Sequence, residues 1–450
     1  MSYAIKINTQ YKSDITGKTL LLPAIFTENG ILISHLRYLS KNSHKSQSWR
    51  EQNIFSVSLL IKYINANHTN FTKTTDLLRS FTDALNEGTI NIVTSEDPSG
   101  LFWPPRKIDY SNTILSHITS YTDYLTKQPG YENNRINPFQ KSNSTEARLN
   151  WCAYYHKHAN TFLNHLSDHS EAYKKFCFIR EIHRRTSPVI DIENISRFPE
   201  HEIDNLLTKG FVRSNTNAKT PDHERYDYKN QAITLLMHYG GLRKSEALHL
   251  YINDIIYDTK RKEAIVRVHH PSNGNSPNPE YNTRKEFLAK IYKILPRNEY
   301  PISKRLFCGW KSPLLTDKRG FFQVIFCPSD KAVEFLNTWV NYLKYQRVSP
   351  AKDNNHPYAF TNKSGRPETI KNFQRLYKNA INEIGLDSKK YLGTTEHGHR
   401  HSYGYRLAQY GLTQVEIQKA MHQKNPNSCL VYINPSNSEI RKKLEATEYQ

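Results

Sequence analysis

The ten residues Thr394-Thr395-Glu396-His397-Gly398-His399-Arg400-His401-Ser402-Tyr403 combine three histidines with an arginine. His397 and Arg400 are three positions apart, so a helix would place both side chains on one face. An imidazole beside a guanidinium suits a transferring phosphoryl group, because one can move a proton while the other balances charge on a nonbridging oxygen. The alternative is a zinc site. Alternating histidines do not converge on a helix, however, and no Cys or acidic cluster stands nearby.

A second arginine lies far upstream, in the box Gly240-Gly241-Leu242-Arg243-Lys244-Ser245-Glu246. The two glycines are expected to end one helix before another begins, so that Arg243 can point into a cleft. Its planar fork can hold two phosphate oxygens at once, and Glu246 is placed to orient it. The simpler interpretation is a helix start with a surface arginine.

Two more residues follow the histidine-arginine box in order, His422 and Tyr432. The chain contains 29 tyrosines, so Tyr432 stands out only by its position near the C-terminal end. A tyrosine is a weak nucleophile while its pKa stays near ~10, and flanking cationic groups would favour the phenolate. Two arginines, two histidines and a late tyrosine together suit one task, which is holding a phosphodiester while a phenol oxygen attacks it.

A leaving 5′-oxygen also needs a proton, and a lysine on a flexible hairpin can deliver one. The segments Phe307–Lys311 and Lys318–Phe322 look like two strands joined by a turn. Lys311 is the first candidate and Lys318 the second. For each lysine, a plain phosphate contact or a solvated side chain is the alternative.

The charge balance indicates a polyanionic partner. The 450 residues include 62 Lys+Arg against 42 Asp+Glu, a formal net charge of +20. Nucleic acid is the leading candidate, because each phosphate neutralised by Lys or Arg releases a counterion. The apolar run Leu20–Phe26 is too short to span a bilayer, and five scattered cysteines suggest neither a disulfide framework nor a zinc site. We expect an intracellular protein without a membrane segment.

Changes in hydrophobic periodicity divide the chain. Residues 1–40 look like short strands and form an N-terminal extension, either a small added domain or a β-rich arm laid on a neighbour. Over 41–183, apolar residues recur every three or four positions, which predicts a helical bundle. A basic, proline-interrupted linker is expected over 184–197, followed by a domain over 198–450 that mixes helices with strands. Within it, the stretch 271–279 is rich in Asn, Ser and Pro and looks like a surface loop or an insertion in a sheet.

These motifs resemble those of the tyrosine recombinase, or phage integrase, family. Three pieces over residues 198–433 carry the resemblance, namely Gly241-Leu242-Arg243-x-x-Glu246, His397-x-x-Arg400-His401 and the His422-to-Tyr432 tail. The resemblance implies a multidomain, mainly α protein. It would have an N-terminal helical core-binding (SAM-like) bundle and an α+β catalytic domain with a small antiparallel sheet.

The sequence departs from the family pattern at a few places. His399 stands where the family usually has an apolar residue, and Met421 where a glycine is common. The spacing from His422 to Tyr432 is one residue longer than expected, and 271–305 is unusually long.

The resemblance also implies a role for each of six residues, which are Arg243, Lys311, His397, Arg400, His422 and Tyr432. The arginines would clamp the scissile phosphate, and the lysine would be the general acid. The histidines would assist proton transfer and hydrogen-bond the phosphate. The tyrosine would form a 3′-phosphotyrosyl bond, with no cofactor, metal or ATP required.

The resulting hypothesis is a site-specific DNA recombinase that integrates or excises a mobile element in the bacterial cytoplasm, associated with the nucleoid. Its partner would be double-stranded DNA. It would be a monomer or dimer off DNA and a homotetramer on paired sites. One alternative is a type IB topoisomerase-like relaxing enzyme, which shares the chemistry and needs no specific site. The other is a non-catalytic DNA-binding protein on an integrase scaffold. The tail beyond Tyr432 either docks on a neighbouring protomer or is a frayed terminus.

Overall fold

The computed structural model describes residues 3–13, 17, 19–67, 70–130, 135–158, 177–186, 196–214, 216–217, 219–433 and 441. The chain divides into two compact units, Met1–Ile190 and Asp191–Gln450. As predicted, the protein is mainly helical with small antiparallel sheets. No helix within the described ranges is long and apolar enough to cross a membrane.

The first unit opens with a three-stranded antiparallel sheet made of β1 (Ile5–Lys12), β2 (Thr19–Thr27) and β3 (Gly30–Ile31). Helices α1 (Ile33–Lys41) and α2 (Gln47–Ala66) follow. The apolar face of β2 packs against both helices, in a core that includes Leu22, Ala24, Ile25, Leu39, Ile54 and Val57. Strands therefore form at β1, β2 and β3 as predicted, but residues 33–40 are helical, and α1 and α2 cover the apolar face of β2.

The rest of the first unit is a helical bundle with one short strand pair. Its further elements are α3 (Thr74–Glu87), α4 (Ile108–Leu125), β4 (Phe139–Lys141), α5 (Ser144–His158) and β5 (Phe178–Arg180). A second apolar core joins α2, α3 and α4 through Leu60, Leu78, Phe81, Leu85, Ile114 and Ile118. Residues 159–176 of the predicted bundle lie outside the described residues. Positions 187–195 of the predicted linker lie outside the described residues.

In the second unit, helices surround a three-stranded antiparallel sheet of β6 (Ile255–Asp258), β7 (Glu263–His269) and β8 (Phe321–Gln323). The helices are α6 (Ile203–Asn205), α7 (Asp222–Arg225), α8 (Tyr228–His238), α9 (Lys244–Ala247), α10 (Arg284–Phe287), α11 (Lys331–Tyr345), α12 (Ile370–Glu383), α13 (Glu396–Gln409), α14 (Gln414–Ala420) and α15 (Leu430–Ile433). Short 3₁₀ turns lie at Glu200–Glu202, Ile252–Asp254, Lys352–Asn354, Lys390–Leu392 and Pro426–Cys429, and π turns at Leu206–Gly210 and Leu288–Tyr292. Helix α8 is buried at every position except Lys229, and its apolar residues, which include Ile233, Leu236 and Met237, are central to the core.

The segment 271–305 is an insertion between the paired strands β7 and β8, and two buried arginines fold it against the second unit. Arg284 donates both terminal nitrogens to the carboxylate of Asp254 and lies 4.1 Å from the centre of the Tyr251 ring. Arg297 donates to the backbone carbonyls of Leu248, Leu306 and Glu368. The prediction of an insertion in the sheet is confirmed, and the two arginines anchor the segment, while many of its other residues are exposed.

The hairpin predicted to carry the lysines is wrong in its first half. Residues 307–311 form no strand, and of the two predicted strands only the second forms, as β8, which pairs with β7 with Val268 opposite Phe322. Ser312 has a φ of +45°, and the following Pro313 lacks an N–H, so the chain cannot continue a ladder of hydrogen bonds here. Lys311 therefore lies on an irregular segment.

Candidate active site

Arg400 connects three parts of the second unit. Its side chain extends from α13 and is almost fully buried, with 2% of the residue exposed. One terminal nitrogen donates to the carbonyl of Gly241, and the other donates to the carbonyl of Met421 at 2.5 Å. The histidine-arginine box, the glycine box and the segment before His422 are thus held together at one guanidinium.

Arg243 lies just before α9, after the tight turn that the glycines were predicted to form. Gly241 has a φ of +65°, and a Cβ added there would lie 2.3 Å from the ring of Tyr403. Arg243 donates from its guanidinium to Glu246 Oε1 at 2.6 Å and from its backbone N–H to Oε2 at 2.8 Å. Glu246 Oε2 is also 4.0 Å from the guanidinium of Arg400. One buried carboxylate therefore lies between two guanidinium groups.

His422 is a buried imidazole with unsatisfied nitrogens. Its ring stacks on Phe322 with 3.7 Å between centroids, and its backbone has a φ of +52°. Neither ring nitrogen has a hydrogen-bond partner among the described residues. Burial, together with the charges of Arg400 and Arg243, lowers the pKa of His422 to about 3. Buried polar groups are nearly always paired, so this neutral ring is suited to a ligand oxygen placed between the guanidinium groups.

His397 and Lys311 lie at the exposed edge of the same cluster. His397 is exposed, but partial burial of its ring lowers the pKa of the imidazole to about 3. The charges of Arg400, Lys311 and Arg243 act in the same direction. Lys311 is exposed and within electrostatic reach of the site, whereas Lys318 lies in the turn that precedes β8.

Tyr432 lies on α15 with 8% of its surface exposed. Its ring packs against Gly404 of α13, where an added Cβ would lie 2.8 Å from Tyr432 Cγ. Burial raises the pKa of the phenol, while the charges of Arg400 and Arg243 lower it without reversing the direction. The cations favour the phenolate as expected, but burial has the larger effect, so the net shift of the phenol pKa is upward.

The structure gives two roles that the sequence did not reveal. His401 Nδ1 lies 3.2 Å from Tyr432 Oη, a contact that neither the family pattern nor the zinc alternative predicted. Its spacing of four residues from His397 could have indicated a shared helix face. His399 instead belongs to the core, where it contacts His238 at 3.0 Å and Tyr377 Oη at 2.8 Å.

The zinc alternative is not supported by this geometry. The buried side chain of His399 is hydrogen-bonded within the core, while the rings of His397 and His401 contact each other. No three His, Cys, Asp or Glu side chains in the described ranges are arranged to hold a metal ion. All five cysteines are free.

Residues 317–439 match the model of the phage integrase family. These residues form a phage integrase domain. The domain includes His397, Arg400, His422 and Tyr432, and it confirms over this segment the resemblance that the motifs indicated. Arg243 and Lys311 precede the matched residues, so the structure alone brings them to the site.

Several solved structures of recombinases are similar to the chain. XerH site-specific recombinase, bound to palindromic difH substrate in a post-cleavage complex, is 13% identical with a TM-score of 0.48, covering 88% of this chain and 78% of its own. XerA recombinase is 13% identical with a TM-score of 0.34, covering 92% and 97%. The Tn1549 transposon integrase in complex with transposon right end DNA is 15% identical with a TM-score of 0.35, covering 87% and 99%. TM-scores below 0.5 do not define the fold, and no curated protein sequence matches the chain.

Proposed function

We propose that the chain, with its phage integrase domain, is a site-specific DNA recombinase that cuts and rejoins strands through a 3′-phosphotyrosyl intermediate. The observation that supports this most directly is the convergence of Arg243 and Arg400 on Tyr432. Both guanidinium charges act on the phenol and on the imidazole of His422. The proposed nucleophile and one of the proposed phosphate-binding histidines therefore share the same two cations.

The charge of the site favours a phosphodiester. Arg243 and Arg400 bring two positive charges, and the buried Glu246 offsets one of them. An uncompensated buried charge is costly, and a nonbridging phosphate oxygen would offset it. The same oxygen would give His422 the partner that its nitrogens lack in the described structure. A single phosphodiester would thus offset the remaining positive charge and also form a hydrogen bond with the imidazole of His422.

The chemistry follows from these positions. Tyr432 Oη attacks phosphorus and loses its proton, a new P–O bond forms, and the bond to the 5′-oxygen breaks. Lys311 gives that oxygen a proton as it leaves, while the arginines balance charge on the nonbridging oxygens. A free 5′-hydroxyl from another strand then attacks the phosphotyrosine and reverses the sequence. The reaction needs no external energy, because one phosphodiester is exchanged for another.

The proposal includes the partner and the assembly. The net charge of +20 fits double-stranded DNA, whose phosphates attract Lys and Arg. We propose the helical region 41–183 as the core-binding domain and 198–450 as the catalytic domain. The protein would be a monomer or dimer in solution and a homotetramer on paired sites. Its reaction would integrate or excise a mobile element on bacterial DNA.

The test uses nicked duplexes that carry the DNA from each side of the coding sequence, with scrambled duplexes of equal length as the control. We expect an adduct that survives denaturant, a free 5′-hydroxyl on the released fragment, and modification of the peptide that contains Tyr432. Transfer of the bound strand to a second duplex would separate recombination from simple relaxation. An adduct through a 5′-phosphate, or no adduct on any duplex, would contradict the proposal.

A further inference from the structure

Tyr432 is hydrogen-bonded to a histidine that has no role in the mechanism above. The distance from Tyr432 Oη to His401 Nδ1 is 3.2 Å, and the ring centroids are 5.8 Å apart. His401 follows Arg400 on α13 and lies one helical turn after His397, whose ring centroid is 4.6 Å away. The helix that supplies the phosphate-binding arginine therefore also presents an imidazole to the nucleophile.

We infer that His401 is the general base that removes the proton from Tyr432 Oη, an inference that rests on the proposed recombinase function. The step is balanced. The phenol O–H bond breaks, its electron pair supports the new P–O bond, and the proton moves to His401 Nδ1. When the strand is rejoined, the imidazolium returns this proton to the departing phenol oxygen.

The charge state of His401 fits this role. Burial, with the positive charges of Arg400 and Lys390, lowers the pKa of His401 to about 4. The facing ring of His397 is also neutral at neutral pH, because its pKa lies near 3. His401 is therefore an uncharged acceptor when its proton is on Nε2, leaving Nδ1 free to accept from the phenol. A bound DNA phosphate would offset the nearby cations and raise the pKa of His401, which makes it a stronger base at the moment of attack.

Tyr432 needs such a base. Burial raises the pKa of the phenol, so very little phenolate is present at neutral pH. The other polar groups of the site are differently engaged. Both terminal nitrogens of Arg400 donate to backbone carbonyls, and His422 has no hydrogen bond to the phenol. His401 Nδ1 is the side-chain nitrogen within hydrogen-bond distance of the oxygen that must lose its proton.

The experiment measures single-turnover adduct formation on the nicked duplex, between pH 6 and 9, for the unaltered protein and two variants. His401→Ala removes the acceptor. His401→Asn keeps a group that can hydrogen-bond the phenol but cannot take its proton. We expect both variants to be slower at pH 7 by about 10²-fold or more. We expect their rates to rise about tenfold per pH unit, because the phenol must ionise beforehand, while the unaltered rate levels off.

His201→Ala is the matched control, because His201 lies in the same unit and its side chain is 81% exposed. This control should keep the unaltered rate and pH profile. Thermal unfolding and DNA mobility shifts check that each variant is folded, and His401→Asn carries the test if the alanine variant is not. Added imidazole should restore part of the rate of His401→Ala.

The outcomes separate this inference from the function beneath it. If His401→Asn forms the adduct at the unaltered rate, and this rate levels off with pH as in the unaltered protein, then His401 only positions the tyrosine. That result would overturn the inference but not the proposed recombinase function. An unaltered rate in His401→Ala would do the same. Absence of any adduct from the unaltered protein would overturn the proposed function and the inference together.

Discussion

The substitution Gly404→Ala tests whether packing holds Tyr432 where it can attack. Gly404 lies inside α13, where alanine would favour the helix by about 0.5–1 kcal/mol. The added Cβ, however, would lie 2.8 Å from Tyr432 Cγ and 2.9 Å from Met421 Sδ. Overpacking of this kind costs about 1–3 kcal/mol, so the net loss of stability should be about 0–2.5 kcal/mol.

The effect on cleavage should be much larger than the effect on stability. Carbon atoms in contact lie about 3.5–4.0 Å apart, so the tyrosine ring must move by about 1 Å. A displacement of that size can slow catalysis by about 10²-fold. The assay is single-turnover adduct formation on the nicked duplex, with urea unfolding and DNA affinity measured in parallel. Gln409→Ala, on an exposed position of the same helix, is the control for helix propensity. A stable Gly404→Ala variant that cleaves at the unaltered rate would show that the described position of Tyr432 is not the attacking one.

Three further predictions concern the acid, the core and pH. Lys311→Ala should slow cleavage by about 10²–10⁴-fold, while Lys318→Ala should not. A DNA substrate with sulfur at the 5′-bridging position should restore the rate of Lys311→Ala, because a thiolate leaves without needing a proton. Equal losses of rate in both variants would refute the assignment. His399→Leu should lower the free energy of unfolding by about 1–3 kcal/mol in a urea titration, because its buried partners lose their hydrogen bonds; an unchanged midpoint would contradict this. Burial lowers the pKa values of His249 and His422 to about 3 in the folded protein. In the unfolded chain a histidine has a pKa of about 6.5, so as the pH falls the unfolded chain takes up protons before the folded protein does. The free energy of unfolding should therefore fall as the pH is lowered from 7.5 toward 3, with each histidine lowering it by up to about 2 kcal/mol at pH 5. Equal stability at pH 5 and pH 7.5 would contradict this prediction.

The parts of the site that the sequence predicted are those fixed by local spacing. The two adjacent glycines follow α8 and place Arg243 just before α9, as predicted. Gly241 has a positive φ, which glycine adopts readily, so the chain can turn there. The pairing of Arg243 with Glu246 also followed from helical spacing. The helical and strand-like segments could be predicted for the same reason, because period and turn chemistry are local properties, whereas the small antiparallel sheet was implied by the family resemblance.

The remaining features depend on contacts between distant segments. The bond from His401 to Tyr432 joins residues 31 positions apart, and no local pattern encodes it. The packing of 271–305 depends on Arg284 meeting Asp254, 30 residues away. The net direction of the pKa shift of Tyr432 depends on its burial, which a count of nearby cations does not give. Sequence reasoning therefore identified the charged groups of the site but not their degree of burial.

The central claim is that a single buried phenol breaks the DNA backbone, and Tyr432→Phe tests it most directly. The measurement compares denaturant-resistant DNA adducts of the unaltered protein, Tyr432→Phe and the control Tyr410→Phe, whose tyrosine is 61% exposed. We expect adducts from the unaltered protein and the control, none from Tyr432→Phe, and similar DNA affinity in all three. An adduct formed by Tyr432→Phe in the same yield would contradict the account.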